Sequence, residues 1–208
     1  VAFCYAVSVV VLVAATYRAT ACDPADRNVL AAVADIEETD SMPFCGLCNV
    51  PVLPRSKHCR ACNKCVDCFD HHCMWLNNCV GGANYRAFFW TVSAVSVMIG
   101  IILGSCLYLL IDMFLNADAF DLRVAEVAHL EPIPREFFAV LLAFLLLVNG
   151  PLFLLDTQLV LLHVFLMSQG LTTYEYIMNK RSQDEEEEEE VPERDSAPPR
   201  EKKRPRTL

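Results

Sequence analysis

Three long apolar runs alternate with polar segments along the chain. The first run covers residues 1–17 and has no charged residue, the second covers residues 87–115 and has only Asp112, and the third covers residues 137–167. A helix needs about 20 apolar residues, at about 1.5 Å each, to cross about 30 Å of hydrocarbon. The second and third runs therefore predict membrane-spanning helices. We interpret the shorter first run as a spanning helix that is clipped at its start.

The polar segments between and after the runs differ in character. In chain order they are a linker at residues 18–44, a cysteine-rich segment at residues 45–86, a short loop at residues 116–136, a segment after the last run at residues 168–180, and a charged tail at residues 181–208. The tail mixes many acidic and basic residues with several prolines, so it is predicted to be disordered.

Basic residues predict how the runs are oriented in the membrane. Seven arginines and lysines lie between the first two runs, whereas the loop at residues 116–136 has two arginines and five acidic residues. Short loops that are rich in Lys and Arg stay on the cytosolic side of a membrane. The cysteine-rich segment and the C-terminus are therefore predicted to be cytosolic, and the loop at residues 116–136 is predicted to be lumenal.

The composition agrees with a membrane protein. Hydrophobic residues make up 54% of the chain and the formal net charge is −9, a combination that fits neither an ordinary soluble domain nor a disordered chain. The basic residues near the end of the tail, "EKKRPR", are the one feature that would suit a nucleic acid, and in a chain with several spans we expect them to be solvated. We expect the lipid bilayer as a partner and no nucleic acid.

The cysteine-rich segment predicts metal binding. The chain has eleven cysteines, and eight of them lie between residues 45 and 79. Cytosolic thiols stay reduced, and dense clusters of Cys and His there bind metal more often than they form disulfides. A closed structural zinc site takes four thiolate or imidazole ligands, so the segment has enough ligands for two ions. Buried cysteines without metal are disfavoured by this density.

The spacing favours two interleaved sites without choosing the ligands of each. Adjacent residues such as His58 and Cys59 point to opposite sides of an extended backbone and are unsuited to share one ion. A RING module would need a further C-x2-C pair after the central histidine, which Cys73 and Cys79 do not provide. About 35 residues are too few for a stable apolar core, so zinc would supply most of the folding free energy. The predicted fold class is an α-helical polytopic membrane protein with a cytosolic two-zinc domain between spans.

Several motifs in this region resemble the cysteine-rich domain of the DHHC protein S-palmitoyltransferases. They are Cys45-Gly-Leu-Cys48, "PRSKHCRACNKC" at residues 54–65, "DHHC" at residues 70–73, Trp75, "NNCVG" at residues 77–81 and "NYRAFF" at residues 84–89. Outside it, "CDPAD" at residues 22–26 is similar to the family's Asp-Pro-Gly motif and "TTYE" at residues 172–175 to its Thr-Thr-x-Glu motif. Family members usually have four spans, so the first run would correspond to the second family helix.

The resemblance implies the ligands of each zinc ion. The first ion would be held by Cys45, Cys48, His58 and Cys65, and the second by Cys59, Cys62, His72 and Cys79. This leaves Asp70, His71 and Cys73 outside both sets. Cys73 would then be the nucleophile, His71 the base that accepts its proton at an ordinary pKa near 6.5, and Asp70 the group that orients the imidazole.

The implied reaction moves a long-chain fatty acyl group from acyl-CoA, such as palmitoyl-CoA, to protein cysteines near the membrane through an acylated Cys73. Trp75 and Phe88 are expected to contact the acyl chain, and Met98 is expected near its end, since sixteen carbons span about 20 Å, or about 13 residues of helix. Thr172, Thr173 and Glu175 are expected to support Asp70. The family further implies a location in the endoplasmic reticulum or Golgi membrane.

Three departures from the family pattern keep an alternative open. Met74 replaces the proline after DHHC, Ala25 replaces the glycine of Asp-Pro-Gly, and no aromatic or amphipathic element follows "TTYE". The alternative is a zinc-stabilised membrane scaffold or adaptor with little transfer activity. Asp70, His71, Cys73 and "TTYE" favour the enzyme. Asp156 and His163 in the third run are further candidates for a function, because ionisable groups are costly in a bilayer.

Overall fold

The computed structural model describes residues 1–31, 42–128 and 134–190. Its helices are α1 Ala2–Ala21, α2 Arg27–Leu30, α3 Tyr85–Leu115, α4 Ala117–Ala128, α5 Arg135–Gln169 and α6 Thr173–Glu190. Its strands are β1 Phe44–Cys45, β2 Val50–Pro51, β3 Lys57–Cys59, β4 Lys64–Val66, β5 His71–Cys73 and β6 Asn78–Val80. The strands thus all lie between α2 and α3.

Three helices form the membrane part. Within the described residues α1, α3 and α5 are long and apolar enough to cross a membrane. Helix α3 packs against both α1 and α5, and most of the large apolar side chains of all three are exposed in the isolated chain. Such an apolar surface suits lipid rather than water, which agrees with the fold class expected from the sequence.

The three helices extend beyond the apolar runs that predict them. Helix α1 ends at Ala21, α3 begins at Tyr85, and α5 covers Arg135–Gln169, whereas the runs cover residues 1–17, 87–115 and 137–167. Most of the extra residues are polar or charged, and long side chains such as Arg18 can leave the hydrocarbon while the backbone stays helical.

Two segments expected to lack regular structure contain helix. The loop at residues 116–136 includes α4, which is held by a salt bridge between Arg123 and Asp112 of α3 and by the buried ring of Phe120. In the tail, residues 181–190 continue α6, because glutamate and glutamine extend an existing helix at little cost. The rest of the tail, residues 191–208, lies outside the described residues.

Three short antiparallel hairpins make up the cysteine-rich segment. Strand β1 pairs with β2, β3 with β4, and β5 with β6. Each turn contains an asparagine with positive φ, namely Asn49 at 56°, Asn63 at 49° and Asn77 at 47°. Asparagine adopts this left-handed conformation at lower cost than most residues, so the three turns have the same local basis.

Two asparagines, Asn84 and Asn78, connect the third hairpin to the membrane helices. The side-chain amide of Asn84 donates to the Ala19 carbonyl at 3.1 Å and to the Cys79 carbonyl at 2.8 Å, and its oxygen accepts the N–H of Gly81 at 2.9 Å. Asn78 donates to the carbonyls of Ala19 and Cys22. The end of α1, the hairpin and the start of α3 are therefore held in one arrangement.

Asp26 has a similar role at the linker. Its buried carboxylate accepts hydrogen bonds from the backbone N–H of Asn28 and of Leu53, both at 2.8 Å, and from the Ser56 hydroxyl. It caps α2 and fixes the loop before the second hairpin at the same time. Ala25, which stands where the family has glycine, pairs with Val66 in an isolated bridge.

Candidate functional site

The hairpin register sorts the metal-binding side chains into two groups. In the second hairpin His58 lies opposite Cys65, and in the third His72 lies opposite Cys79. Residues opposite each other share a face, and the next residue along a strand points to the other face. Cys59 therefore points away from His58, toward the ligands of the third hairpin.

Each group fits a tetrahedral metal ion. The groups are the two sets that the resemblance implies, and within each the four ligand atoms lie within 4.8 Å of one another: Cys45, Cys48, His58 and Cys65, and Cys59, Cys62, His72 and Cys79. The three sulfurs lie 3.7, 3.3 and 3.8 Å from His58 Nδ1 in the first set, and 3.8, 3.4 and 3.6 Å from His72 Nδ1 in the second. Zn–S and Zn–N bonds of about 2.3 and 2.0 Å at tetrahedral angles put sulfur and nitrogen about 3.5 Å apart. Three thiolates and one imidazole are also a common zinc donor set.

The alternation of side chains along strand β5 places the predicted catalytic residues on one face and a metal ligand on the other. His71 and Cys73 are two residues apart and share one face of the strand, while His72 points to the metal side. Cys73 is buried in an apolar cluster with Ala19, Leu76, Val80, Phe88 and Val92. The thiol that the resemblance implies as nucleophile is thus outside both metal sets, beside the start of α3.

Asp70 and His71 form a charged pair in which Asp70 is buried and His71 is half-buried. The Oδ2 atom of Asp70 lies 2.7 Å from His71 Nδ1, and its Oδ1 atom accepts the backbone N–H of Thr173 at 2.8 Å. Burial favours the neutral carboxyl, but His71 and the Thr173 backbone outweigh it and hold the pKa of Asp70 below its usual range. With Nδ1 bonded to Asp70, Nε2 is the ring nitrogen left for proton transfer.

His71 is a stronger base than the sequence analysis expected. Burial lowers the pKa of His71, but its bonds to Asp70 and Cys73 outweigh burial and raise this pKa to about 9. Burial raises the pKa of Cys73, and the His71 side chain together with the backbone N–H groups of Leu76 and Trp75 produces a net lowering. The expected imidazole of ordinary pKa is corrected to one of raised pKa beside a thiol of lowered pKa, because the buried Asp70 carboxylate stabilises the charged ring.

Phe88 and a second histidine, His163, lie next to the ring of His71. The ring centroid of His71 lies 5.1 Å from that of Phe88 in an edge-on arrangement and 6.2 Å from that of His163. The Nδ1 atom of His163 lies 2.9 Å from the hydroxyl of Tyr85, and His163 is only 2% exposed. The cost of a histidine in a span made His163 a candidate for a function, but no sequence pattern pairs it with Tyr85 or His71.

The Thr-Thr-x-Glu motif contacts the site through one of its three predicted residues. Thr173 contacts Asp70 directly, whereas Thr172 and Glu175 bond each other's backbone N–H groups at the start of α6, which is a capping box. Glu175 also forms a salt bridge with Arg55. Arg55 lies 120 residues away in sequence and was missed. The expected support of Asp70 by Glu175 is indirect, through the turn that positions Thr173.

The residues expected to contact an acyl chain are not brought together. Phe88 is buried against His71, and Met98 lies ten residues further along α3, about 15 Å deeper. Trp75 is at the tip of the third hairpin beside Met74, and these two side chains are 97% and 79% exposed. Contact of any of the three with an acyl chain stays a prediction.

Comparison with known proteins gives consistent matches. Residues 38–180 match the family model described as DHHC palmitoyltransferase. Over 145 residues the chain is 37% identical to "Probable protein S-acyltransferase 20" of Arabidopsis thaliana, covering 68% of this chain and 20% of that protein. It is 33% identical over 148 residues to "Palmitoyltransferase erf2" of Emericella nidulans, covering 70% and 23%, and 34% identical over 140 residues to "Palmitoyltransferase ZDHHC5" of Rattus norvegicus, covering 67% and 17%. The chain spans less than a quarter of the length of these relatives.

Proposed function

Because the chain belongs to the DHHC palmitoyltransferase family, we propose that it is a protein S-acyltransferase that moves a long-chain fatty acyl group from acyl-CoA to cysteine side chains of proteins. The observation that carries the proposal is the part-buried Asp70–His71 pair next to Cys73, outside both metal-binding sets. Relatives named palmitoyltransferase or protein S-acyltransferase support the same reaction class.

The first half of the reaction forms an acylated enzyme. The thiolate of Cys73 attacks the carbonyl carbon of the acyl-CoA thioester, a bond forms between that carbon and Sγ, and the carbon–sulfur bond to CoA breaks. The leaving CoA sulfur takes the proton from the His71 imidazolium. The raised pKa of His71, about 9, supports a proton that is already on the ring before the acyl donor binds.

The second half transfers the acyl group to a protein. His71, now neutral, removes the proton from a substrate cysteine, whose sulfur attacks the acyl carbon on Cys73. The bond to Cys73 breaks, and the imidazolium and the thiolate are restored together. Asp70 keeps the imidazole in one tautomer in both halves because its carboxylate stays bonded to Nδ1.

The two metal sets have a structural role in this proposal. Zinc ions would be held by the three cysteines and one histidine of each set and would supply folding free energy to hairpins that have little apolar core of their own. Since His72 holds one ion from the strand that also carries His71 and Cys73, metal binding would fix the backbone of the reacting residues without touching the substrate.

The membrane part would receive the acyl chain. The start of α3 carries Phe88 next to His71, and a chain that enters along α3 would run toward Met98. Its hydrocarbon would leave water for the bilayer while the CoA stays in solution. The basic residues of the cysteine-rich segment support a cytosolic site, in the endoplasmic reticulum or Golgi membrane, acting on cysteines near the membrane surface.

The alternative of a catalytically weak scaffold is not favoured. A scaffold would need the hairpins and their metal ions but would have no use for a charged pair beside an unliganded thiol. Met74, the main departure from the family motif, is exposed at the tip of the third hairpin. The third hairpin has its paired strands and its Asn77 turn despite this substitution.

Labelled acyl-CoA tests the proposal. Purified full chain in detergent or vesicles is incubated with labelled palmitoyl-CoA, and label that hydroxylamine removes is measured and mapped by mass spectrometry. We expect label on Cys73, lost in Cys73→Ser and retained in the matched control Cys68→Ser, since Cys68 lies in the same segment outside both metal sets. An unlabelled wild-type protein that still contains both metal ions would contradict the proposal.

A further inference from the structure

The three hairpins are copies of one unit that repeats every 14 residues. Residues 57–66 read "KHCRACNKCV" and residues 71–80 read "HHCMWLNNCV", and residues 43–52, "PFCGLCNVPV", align with both without a gap. The pairing repeats as well, because Cys45, Cys59 and Cys73 each lie opposite the residue five positions later. Cys73 is therefore the structural equivalent of two metal ligands.

The metal sets follow the repeat. In each of the first two units a C-x2-C pair is completed by a histidine and a cysteine from the next unit. Continued by 14 residues, the pattern would complete a third pair at positions 73 and 76 with residues 86 and 93. Those positions are Arg86 and Ser93, and both belong to α3, so the chain offers no further pair of ligands there.

The second position of the third pair is Leu76. It corresponds to Cys48 and Cys62 in the other units, and it is 9% exposed and packed with Cys73 in the apolar cluster beside α3. Its side chain is thus aimed at the place where the other two units have their second sulfur. An apolar side chain there offers no ligand to a metal ion.

The turn around the sulfur is the same in all three units. In each unit an asparagine of positive φ follows the cysteine by four residues, Asn49 at 56°, Asn63 at 49° and Asn77 at 47°, and each cysteine has its cross-strand partner at the same offset. The third unit therefore retains the backbone that holds a metal-binding sulfur. The side chain at position 76 is the difference within the turn itself.

We propose that Leu76 keeps the Cys73 sulfur free of metal. Because Arg86 and Ser93 offer no ligand, a second sulfur could reach Cys73 only from its own turn, so the residue at position 76 decides whether this sulfur binds a soft divalent cation or remains free to react. The proposed reacting residues occupy the position of a third metal site of the repeat, where α3 follows instead of a fourth hairpin. The reactivity part rests on the proposed function of Cys73, and the metal-binding part rests on the repeat alone.

The test is Leu76→Cys, which completes a third C-x2-C pair. Full-length protein in detergent with a phosphine reductant is equilibrated with Cd²⁺, and the total number of bound ions per chain is measured by native mass spectrometry, together with thiolate-to-cadmium absorption. We expect Leu76→Cys to bind one ion more than wild type. We also expect Cd²⁺ to lower acylation of Cys73 in this variant at least tenfold, with a much smaller effect on wild type.

Two controls separate a metal site from a packing defect. Leu76→Ala removes the leucine without adding a sulfur and is expected to bind the same number of ions as wild type. The double variant Leu76→Cys, Cys73→Ser is expected to lose the extra ion. An unchanged ion count in Leu76→Cys, an extra ion in Leu76→Ala, or an extra ion that survives Cys73→Ser would each overturn the inference.

The outcomes also separate this inference from the proposed function. If Cys73 is not the nucleophile, wild-type protein takes no label from acyl-CoA, yet Leu76→Cys still gains an ion. If the inference fails instead, wild-type Cys73 is acylated and the ion count of Leu76→Cys does not change. The number of ions bound per chain therefore tests the metal-binding part of the inference, whether or not the protein is an active enzyme.

Discussion

The two ends of the membrane helices are built in different ways. At the end that carries the hairpins, buried polar side chains join distant parts of the chain, as Asn84 joins α1 to β6 and Thr173 joins α6 to Asp70. At the other end the polar contacts span shorter stretches of the chain: Asn116 bonds Asp112 one turn away, Arg123 pairs with Asp112 of the preceding helix, and Arg135 pairs with Asp121 at 3.2 Å on the surface. Long-range polar contacts are concentrated where the proposed chemistry needs fixed geometry, and the far end needs only a short connection.

Loss of a metal ligand is expected to reduce stability more than any other change considered, and to unfold only the end of the molecule that carries the hairpins. His72→Ala should remove one ion and unfold the hairpins, because structural zinc contributes about 10–16 kcal/mol in small zinc-dependent folds, as much as the stability of a typical domain. Metal content, limited proteolysis and circular dichroism in detergent measure this. We expect rapid cleavage between residues 45 and 86, with the helical signal of the spans retained and Cys68→Ser unaffected. Retention of both ions in His72→Ala would contradict the assignment of the metal sets.

Removal of the Asp70 charge tests the chemistry without removing the fold. Asp70→Asn should lower acylation of Cys73 by about 10²–10⁴-fold, the usual contribution of acid–base catalysis, while both ions stay bound. The pKa of His71 should fall from about 9 and that of Cys73 should rise, because the imidazolium loses its partner.

The direction of the change in the pKa of Cys73 can be measured from the rate at which iodoacetamide alkylates this thiol at different pH values, with mass spectrometry as the readout. In wild type the thiolate should react at a lower pH than an ordinary thiol, since the pKa of Cys73 is lowered mainly by His71. In Asp70→Asn the midpoint should move to higher pH. An unchanged pH midpoint in Asp70→Asn would mean that Asp70 does not set the pKa values of His71 and Cys73.

The asparagines at the two ends of α3 form a matched pair for stability. Asn84→Ala breaks three buried hydrogen bonds and should destabilise the protein by about 1–3 kcal/mol, the cost of leaving buried polar groups unpaired. Asn116→Ala breaks one local, part-buried bond and should cost less than about 1 kcal/mol. Thermal unfolding in the same detergent compares them. Equal losses would show that the two ends are not built differently.

Two surface ion pairs should give the smallest changes in stability and still differ in activity. Arg135→Gln and Arg55→Gln each remove an arginine that is 45% exposed in its side chain, so each should cost about 0–1 kcal/mol. Arg55→Gln alone should lower acylation, by a few fold, because Arg55 holds the Glu175 turn that positions Thr173 against Asp70. An equal effect of both variants on acylation would remove this role of Arg55.

The membrane helices could be predicted from the sequence because a helix that lies in lipid requires a long run of apolar residues. The apolar runs locate α1, α3 and α5 to within four residues at each end, since the length of hydrocarbon sets their number. Helix α4 and the start of the tail were missed because their helical structure depends on neighbours, such as the Asp112–Arg123 salt bridge, and on helix propensity in a charged run.

The site was predictable only in part. The spacing of Cys and His indicated two ions, but the choice of ligands came from family resemblance, because it depends on a hairpin register that spacing does not contain. The 14-residue repeat was present in the sequence and would have given that register. Support of Asp70 by Thr173 was expected only from the family resemblance, and the approach of His163 to His71 was not expected at all, because both contacts join residues more than 90 positions apart through the packing of α5 and α6.

The length of α5 would set the depth in the membrane at which the proposed acyl exchange takes place. Its 35 residues extend about 52 Å, more than the 40–45 Å of a whole bilayer with its headgroups. At a common tilt of about 20° it would still exceed that thickness. Both of its ends would then lie at the level of the headgroups, and so would Cys73, which is close to the hairpin end. The cysteine sulfur of a substrate protein would then stay hydrated until it reaches the thioester on Cys73. A peripheral protein could present such a cysteine without entering the hydrocarbon core.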